Sequence, residues 1–175
     1  MPLYTNLINQ LGLAVASSAV PTLPAYGSNL TLSDPWEANP FVIDDKAFDI
    51  VEVKEDVVPI KAPKHALKTS EHRFDGAIER VDITSFEIGQ QVYQWASNFT
   101  RSGAVFTPRN SGFTRMALII EIYGECLMYF PSVNVIMGPP QGAGVKTKAT
   151  VYAHFNVFWL ASHPFGYDIH QYQVA

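Results

Sequence analysis

The stretch Thr150-Val151-Tyr152-Ala153-His154-Phe155-Asn156-Val157-Phe158-Trp159 decides the fold class. Its odd positions, Val151, Ala153, Phe155, Val157 and Trp159, are all apolar, whereas the even ones are mixed. Successive side chains of a strand point to opposite faces, so this alternation marks a half-buried β-strand with one face on a core. Reading backwards, Met116 to Tyr123 carries Leu118, Ile120 and Ile122 on one face and Ala117, Ile119 and Tyr123 on the other. Apolar residues on both faces point to a central strand. Cys126 to Phe130 and Val133 to Met137 read as two further strands with a break at Pro131, and Ile78 to Ile88 and Val92 to Ala96 as two more around Gly89. Val51, Val53 and Val57 share a face opposite Glu52, Lys54 and Asp56.

About seven or eight short strands separated by Gly and Pro turns predict an all-β chain, an antiparallel β-sandwich of the jelly-roll type. The sandwich is expected over residues 46–162. Residues 1–45 are punctuated by Pro21, Pro24, Gly27, Pro35 and Pro40 and contain no Lys or Arg. Proline fixes φ and removes an amide donor, so this region reads as an extended, mostly irregular N-terminal arm. Its large apolar groups need cover, which makes Leu11, Leu13, Val15, Leu23, Tyr26 and Trp36 candidate interface residues. Residues 163–175 read as a C-terminal tail.

The chain has 175 residues, 47% of them apolar and only 16% charged, which suits one sizeable core and excludes wholesale disorder. No apolar run is long enough to span a bilayer as a helix. The net charge of -4 is too mild to steer the chain to nucleic acid or to an acidic membrane surface. Acids concentrate in residues 1–87, so the second half is a nearly neutral, aromatic-rich sequence of the kind a buried sheet requires. The one cysteine, Cys126, allows no intrachain disulfide and no cysteine-ligated zinc site, which fits a reducing compartment. Because the first basic residue is Lys46, the opening lacks the positive region of a secretory signal.

Groups that carry chemistry are sparse. His65 and His72, and His163 and His170, lie seven apart, which is not a metal-ligand spacing. His154 sits mid-strand opposite the core face, where a hydrogen-bonded sheet histidine is the expected role. Cys126 with His154 and Asp168 or Asn134 would make a nucleophilic set, yet no nucleophile elbow surrounds it, and Leu127 and Met128 beside it favour packing. Gly138-Pro139-Pro140-Gln141-Gly142 fails as a phosphate cradle because two prolines remove two of the amides such a loop needs. The basic residues Lys61, Lys64, Lys68 and Arg73 are diluted by Glu71 and Asp75 and read as a solvated connector. No catalytic residue, cofactor or metal site is therefore expected, and an enzyme ranks last.

The segment Val133-Asn134-Val135-Ile136-Met137-Gly138-Pro139-Pro140-Gln141-Gly142 is similar to the apolar strand running into a Pro-Pro-Gly turn in jelly-roll coat proteins of small icosahedral, picorna-like viruses. The likeness covers about residues 126–144. In that family more strands follow this turn than the residues after Gly144 can supply. The resemblance implies a self-assembling capsid or virion subunit without catalytic residues. Its partners would be copies of itself or homologous coat subunits, and its location the virion assembled in a host cytoplasm. The alternative is a β-sandwich binding module for carbohydrate or a protein partner.

Overall fold

The structure, a computed structural model, describes residues 8–38, 41–52, 77–88, 96–108, 115–122, 124–139 and 151–174, with the backbone alone at 9, 41–48, 52 and 84–88. Through these residues run β1 (Ile8–Val15), β2 (Glu37–Ala38), β3 (Phe41–Glu52), β4 (Ile78–Ile88), β5 (Phe99–Ser102), β6 (Val105–Pro108), β7 (Arg115–Ile122), β8 (Cys126–Met137), β9 (Val151–Val157) and β10 (Asp168–Gln171). No helix occurs among the described residues, and the strands pair antiparallel throughout. The chain is therefore all-β, as the alternation requires. Val53 and Val57, the connector with His65 and His72, residues 92–95 and residues 140–150 lie outside the described residues.

One sheet follows the order β2-β1-β7-β8-β9-β4-β3, with β10 also beside β8, and β5 and β6 form a separate ribbon. β8 pairs with β7 along one edge and divides its other edge between two partners. Its residues 126–129 take β10, and its residues 133–137 take β9. The inner face of the sheet carries Leu11 and Leu13 of β1, Val81 and Ile83 of β4, Leu118 and Ile120 of β7, Phe130 and Val135 of β8, and Phe155 of β9 in one buried cluster. Each such side chain contributes roughly 1.5–3 kcal/mol by leaving water.

Two expectations fail at the chain ends. Ile8–Val15 is not an irregular arm but a strand of the main sheet, paired residue by residue with β7. The prolines that suggested an arm all come later, and Gly12 inside the strand has a steric cause. A Cβ there would lie 2.7 Å from Ile119 Cγ1 and 2.9 Å from Leu32 Cδ1, so only glycine lets those side chains cross β1. Likewise the expected tail contributes β10 to the same sheet, so the division at residues 45 and 163 does not follow the fold.

The expected break at Pro131 is a bulge within one strand. Met116 opposes Val133 and Leu118 opposes Phe130, so Ala117 alone faces both Pro131 and Ser132. A bulge interrupts the ladder, and there a residue without an amide hydrogen costs least. At the end of β9 the alternation also stops early. Val151, Ala153 and Phe155 are buried and Val157 is half-buried, but Trp159 lies beyond the strand and is 43% exposed. Ile122, expected in the core, is half-buried.

The outer face has two halves. Residues 16–36 return as a strap across β1, β7 and the first half of β8. There Leu30 and Trp36 join Ala14, Ala117, Ile119, Leu127, Tyr129 and Tyr172, with Val20, Leu23 and Leu32 packed alongside. The strap is pinned by Trp36 Nε1 donating to Ala19 O at 3.0 Å and by Tyr129 OH donating to Ser18 O at 3.1 Å. Over β9 and β4 the same face is polar and more open.

Candidate functional site

Three polar constellations and one set of exposed apolar groups stand out. The first centres on Glu121 of β7, which is fully buried on the outer face. Its Oε1 accepts from Leu30 N at 2.6 Å and from Tyr172 OH at 2.8 Å, and its Oε2 accepts from Gln10 Nε2 at 2.6 Å. The same Gln10 nitrogen donates to Leu30 O at 2.5 Å. A buried carboxylate is tolerable only when its lone pairs are filled, and here they are filled by β1, the strap and the segment after β10. Burial, with the neighbouring carboxylate, pushes the Tyr172 hydroxyl far above the ordinary phenol range, so it acts as a fixed donor. The arrangement is a clasp.

The second lies on the polar half of the outer face. Asp82 opposes His154 across the β4–β9 ladder, and Asp82 Oδ1 sits 2.6 Å from His154 Nδ1 and 2.7 Å from Arg80 Nε. The Arg80 N–H does not aim at that oxygen, so this contact is an ion pair without a well-formed hydrogen bond. Burial works against ionisation at Asp82, but the hydrogen bond from His154 and the charge of Arg80 close by outweigh it and hold the carboxyl below its usual range. His154 is thus a hydrogen-bonded sheet histidine, with exposed Tyr152 and Asn156 flanking it.

The third surrounds β10. His163 Nε2 lies 2.7 Å from Asp168 Oδ2, and its Nδ1 lies 2.8 Å from Ser162 Oγ. The rings of His163 and His170 both meet Tyr129 edge-on, with centroids 6.2 Å apart. These two histidines are packed against an aromatic and are not merely solvated. Because Ser162 and His163 are chain neighbours in an exposed turn, the set latches that turn to the start of β10. His170 Nε2 is buried there without a hydrogen-bond partner among the described residues. Cys126 is half-buried at the start of β8, where burial, aided by Glu125, raises its thiol pKa and leaves a poor nucleophile. Among the described residues, no group of three or more His, Cys, Asp or Glu is placed to hold a metal ion.

The six arm residues named from sequence separate into distinct environments. Leu11 and Leu13 are buried in the inner core and Trp36 under the strap, while Leu23 is half-buried against the outer cluster. Their cover comes from their own chain, which corrects their reading as interface residues. Only Val15 and Tyr26 are exposed, at 60% and 45%.

The exposed apolar groups concentrate elsewhere. Of the eight large exposed ones among the described residues, Trp159, Phe165, Ile169 and Val174 fall within residues 158–174. Tyr26 belongs with them, since its N–H donates to Gln173 O at 2.9 Å. Trp159 and Phe165 flank Ile78, whose carbonyl accepts from Trp159 Nε1 at 2.9 Å and whose amide donates to Phe165 O at 3.0 Å. Gly166, at φ +90°, lets the chain turn under them; a Cβ there would lie 2.5 Å from Val157 Cγ1. The parity of β9 assigns Trp159 to the core, and nothing in that pattern shows that the strand ends two residues earlier.

No helix among the described residues is long and apolar enough to cross a membrane. Comparison with known protein families and with curated proteins finds no match.

Proposed function

We propose that this chain is a structural subunit that assembles with copies of itself or with homologous subunits, as a capsid or virion protein does. The observation that carries the reading is the set of apolar side chains left in water, in two places. Tyr26 and Val174 lie by the end of β8 that begins at Cys126, and Trp159 and Phe165 lie beyond Val157, which pairs with Val133. Seven residues along β8 separate the two by about 20 Å at the rise of a strand. Two separate apolar patches on one subunit suit contacts to more than one neighbour.

A two-layer, jelly-roll packing of the sheet belongs to the same proposal. It is supported by β1 and β4, well separated in the strand order, feeding one buried cluster. The coat-protein likeness adds the apolar run of β8 from Val133 to Met137, followed in the sequence by Gly138 and Pro139.

A second reading, a module that binds carbohydrate or a protein partner, is favoured by the exposed Trp159 and Phe165 rings on one loop. Gel filtration with light scattering separates the two. An assembly of several chains at micromolar concentration is expected, and a monomer there would replace the assembly reading with the binding module.

A further inference from the structure

The segment that follows β9 sits on its own chain in an incomplete way. β10 has only four residues, each paired to β8, and the next residue, Tyr172, reaches Glu121. These contacts are specific, yet the segment leaves Trp159, Phe165, Ile169 and Val174 exposed and buries His170 Nε2 without a partner among the described residues. The connection from β9, residues 158–167, folds back on itself through Leu160 and His163, which exchange hydrogen bonds at 3.0 and 3.3 Å. Opened out, about ten residues at up to ~3.3 Å each reach roughly 33 Å, enough to carry β10 past its own β8.

We infer that residues 168–174 exchange between copies, β10 of one chain pairing with β8 of a neighbour and its Tyr172 closing the neighbour's Glu121 clasp. The occupant of this seat is a second copy of the same segment, because the seat already shows complementarity to that sequence: four ladder pairs, a tyrosine–carboxylate bond and the Tyr172 N–H to Glu125 O bond at 2.8 Å. Exchange retains all of these while the opened linker lays its apolar groups across the boundary between subunits. The inference rests on the self-association reading and gives it a definite interface. It also moves that interface away from the N-terminal region, whose residues 8–38 the sheet and strap absorb, to the other end of the fold.

The register supplies the test. Gln171 is exposed and directly opposite Cys126, the chain's single cysteine. Gln171→Cys therefore places two thiols across a strand pair, at a separation a disulfide can span. Equal amounts of 14N- and 15N-labelled Gln171→Cys protein are unfolded together, refolded, sized by light scattering and oxidised. The disulfide peptide is then weighed by mass spectrometry, with Gln171→Cys/Cys126→Ser as the control for chance pairing of the new thiols.

Exchange predicts an oligomer in which about half of the Cys126-containing disulfide peptides are isotopically mixed, the statistical share for links between different chains. An oligomer whose disulfides are all unmixed overturns exchange and leaves self-association standing. A monomer overturns self-association and exchange together. A variant with thiols at Met128→Cys and Ile169→Cys in a Cys126→Ser background repeats the measurement at another paired position, should the first substitution prevent folding.

Discussion

Replacing Tyr172 by Phe removes one oxygen atom and one hydrogen bond while keeping the ring that fills the outer cluster. The ring is 2% exposed, so the change neither opens a large cavity nor alters solvation elsewhere. What is lost is an O–H donor 2.8 Å from Glu121 Oε1. Hydrogen bonds to a charged acceptor contribute about 1.5–3 kcal/mol, compared with about 1 kcal/mol for neutral pairs. The carboxylate retains Leu30 N and Gln10 Nε2, so the penalty does not reach the 3–5 kcal/mol of an abandoned buried charge. For a chain of this size each kcal/mol moves the melting temperature by roughly 2–4 °C, which puts the expected loss at about 3–12 °C. Urea unfolding of Tyr172→Phe, Glu121→Gln and the double variant gives the coupling directly. In the Glu121→Gln background the bond is neutral, so the same Tyr172→Phe change should cost about 1 kcal/mol or less. A loss below about 0.3 kcal/mol in the parent background, or no coupling, would refute the clasp.

Gly12→Val places a branched side chain where a single Cβ already falls 2.7 Å from Ile119 and 2.9 Å from Leu32. Overpacking of this kind costs about 1–3 kcal/mol, read as a lower urea midpoint with an unchanged slope. Asp82, with its pKa lowered in the folded state, binds protons less readily there than in the unfolded chain. Its contribution is present above the ordinary carboxylate pKa and lost as pH falls through the lowered folded value. Because Arg80 and His154 are each 42% exposed at the side chain, that contribution stays below ~1 kcal/mol and shrinks with salt. Asp82→Asn should therefore flatten the acid limb of a stability–pH curve slightly, and an unchanged curve at low salt would contradict the ion pair.

What the sequence made legible was the part governed by strict alternation. β7 and β9 are visible because each presents several apolar residues in phase over one uninterrupted strand, and β4 because Val81 and Ile83 alternate with Arg80, Asp82 and Thr84. β1 was hidden by its neighbourhood: Gly12 lowers strand propensity, and the prolines after it colour the whole region. Both effects are overridden by pairing with β7, a long-range contact that no local window contains. Glu121 shares its face with Ala117 and Ile119, so it was available as an anomaly, an acid among apolar neighbours on a central strand. Its partners, however, lie far away in sequence at Gln10, Leu30 and Tyr172, and nothing local names them. The exposed surface around Trp159 was missed for a different reason, since alternation continues past the strand into a loop where facing no longer follows parity.

The bulge at Pro131 and Ser132 works as a phase inverter. Before it the inner-facing residues of β8 are even-numbered, Met128 and Phe130; after it they are odd-numbered, Val133, Val135 and Met137. The extra residue reconciles two halves of one strand whose apolar residues are written in opposite frames. Deleting Ser132 would rejoin the ladder with Phe130 and Val133 two residues apart, and so would leave Val133 and Val135 inward, Asn134 outward and the seam with β9 unchanged. A homologous strand lacking the bulge would have to carry its apolar residues at even positions throughout. The bulge residue can therefore be lost without rewriting the pattern on either side of it, whereas regular pairing at unchanged length would turn Val133 and Val135 outward.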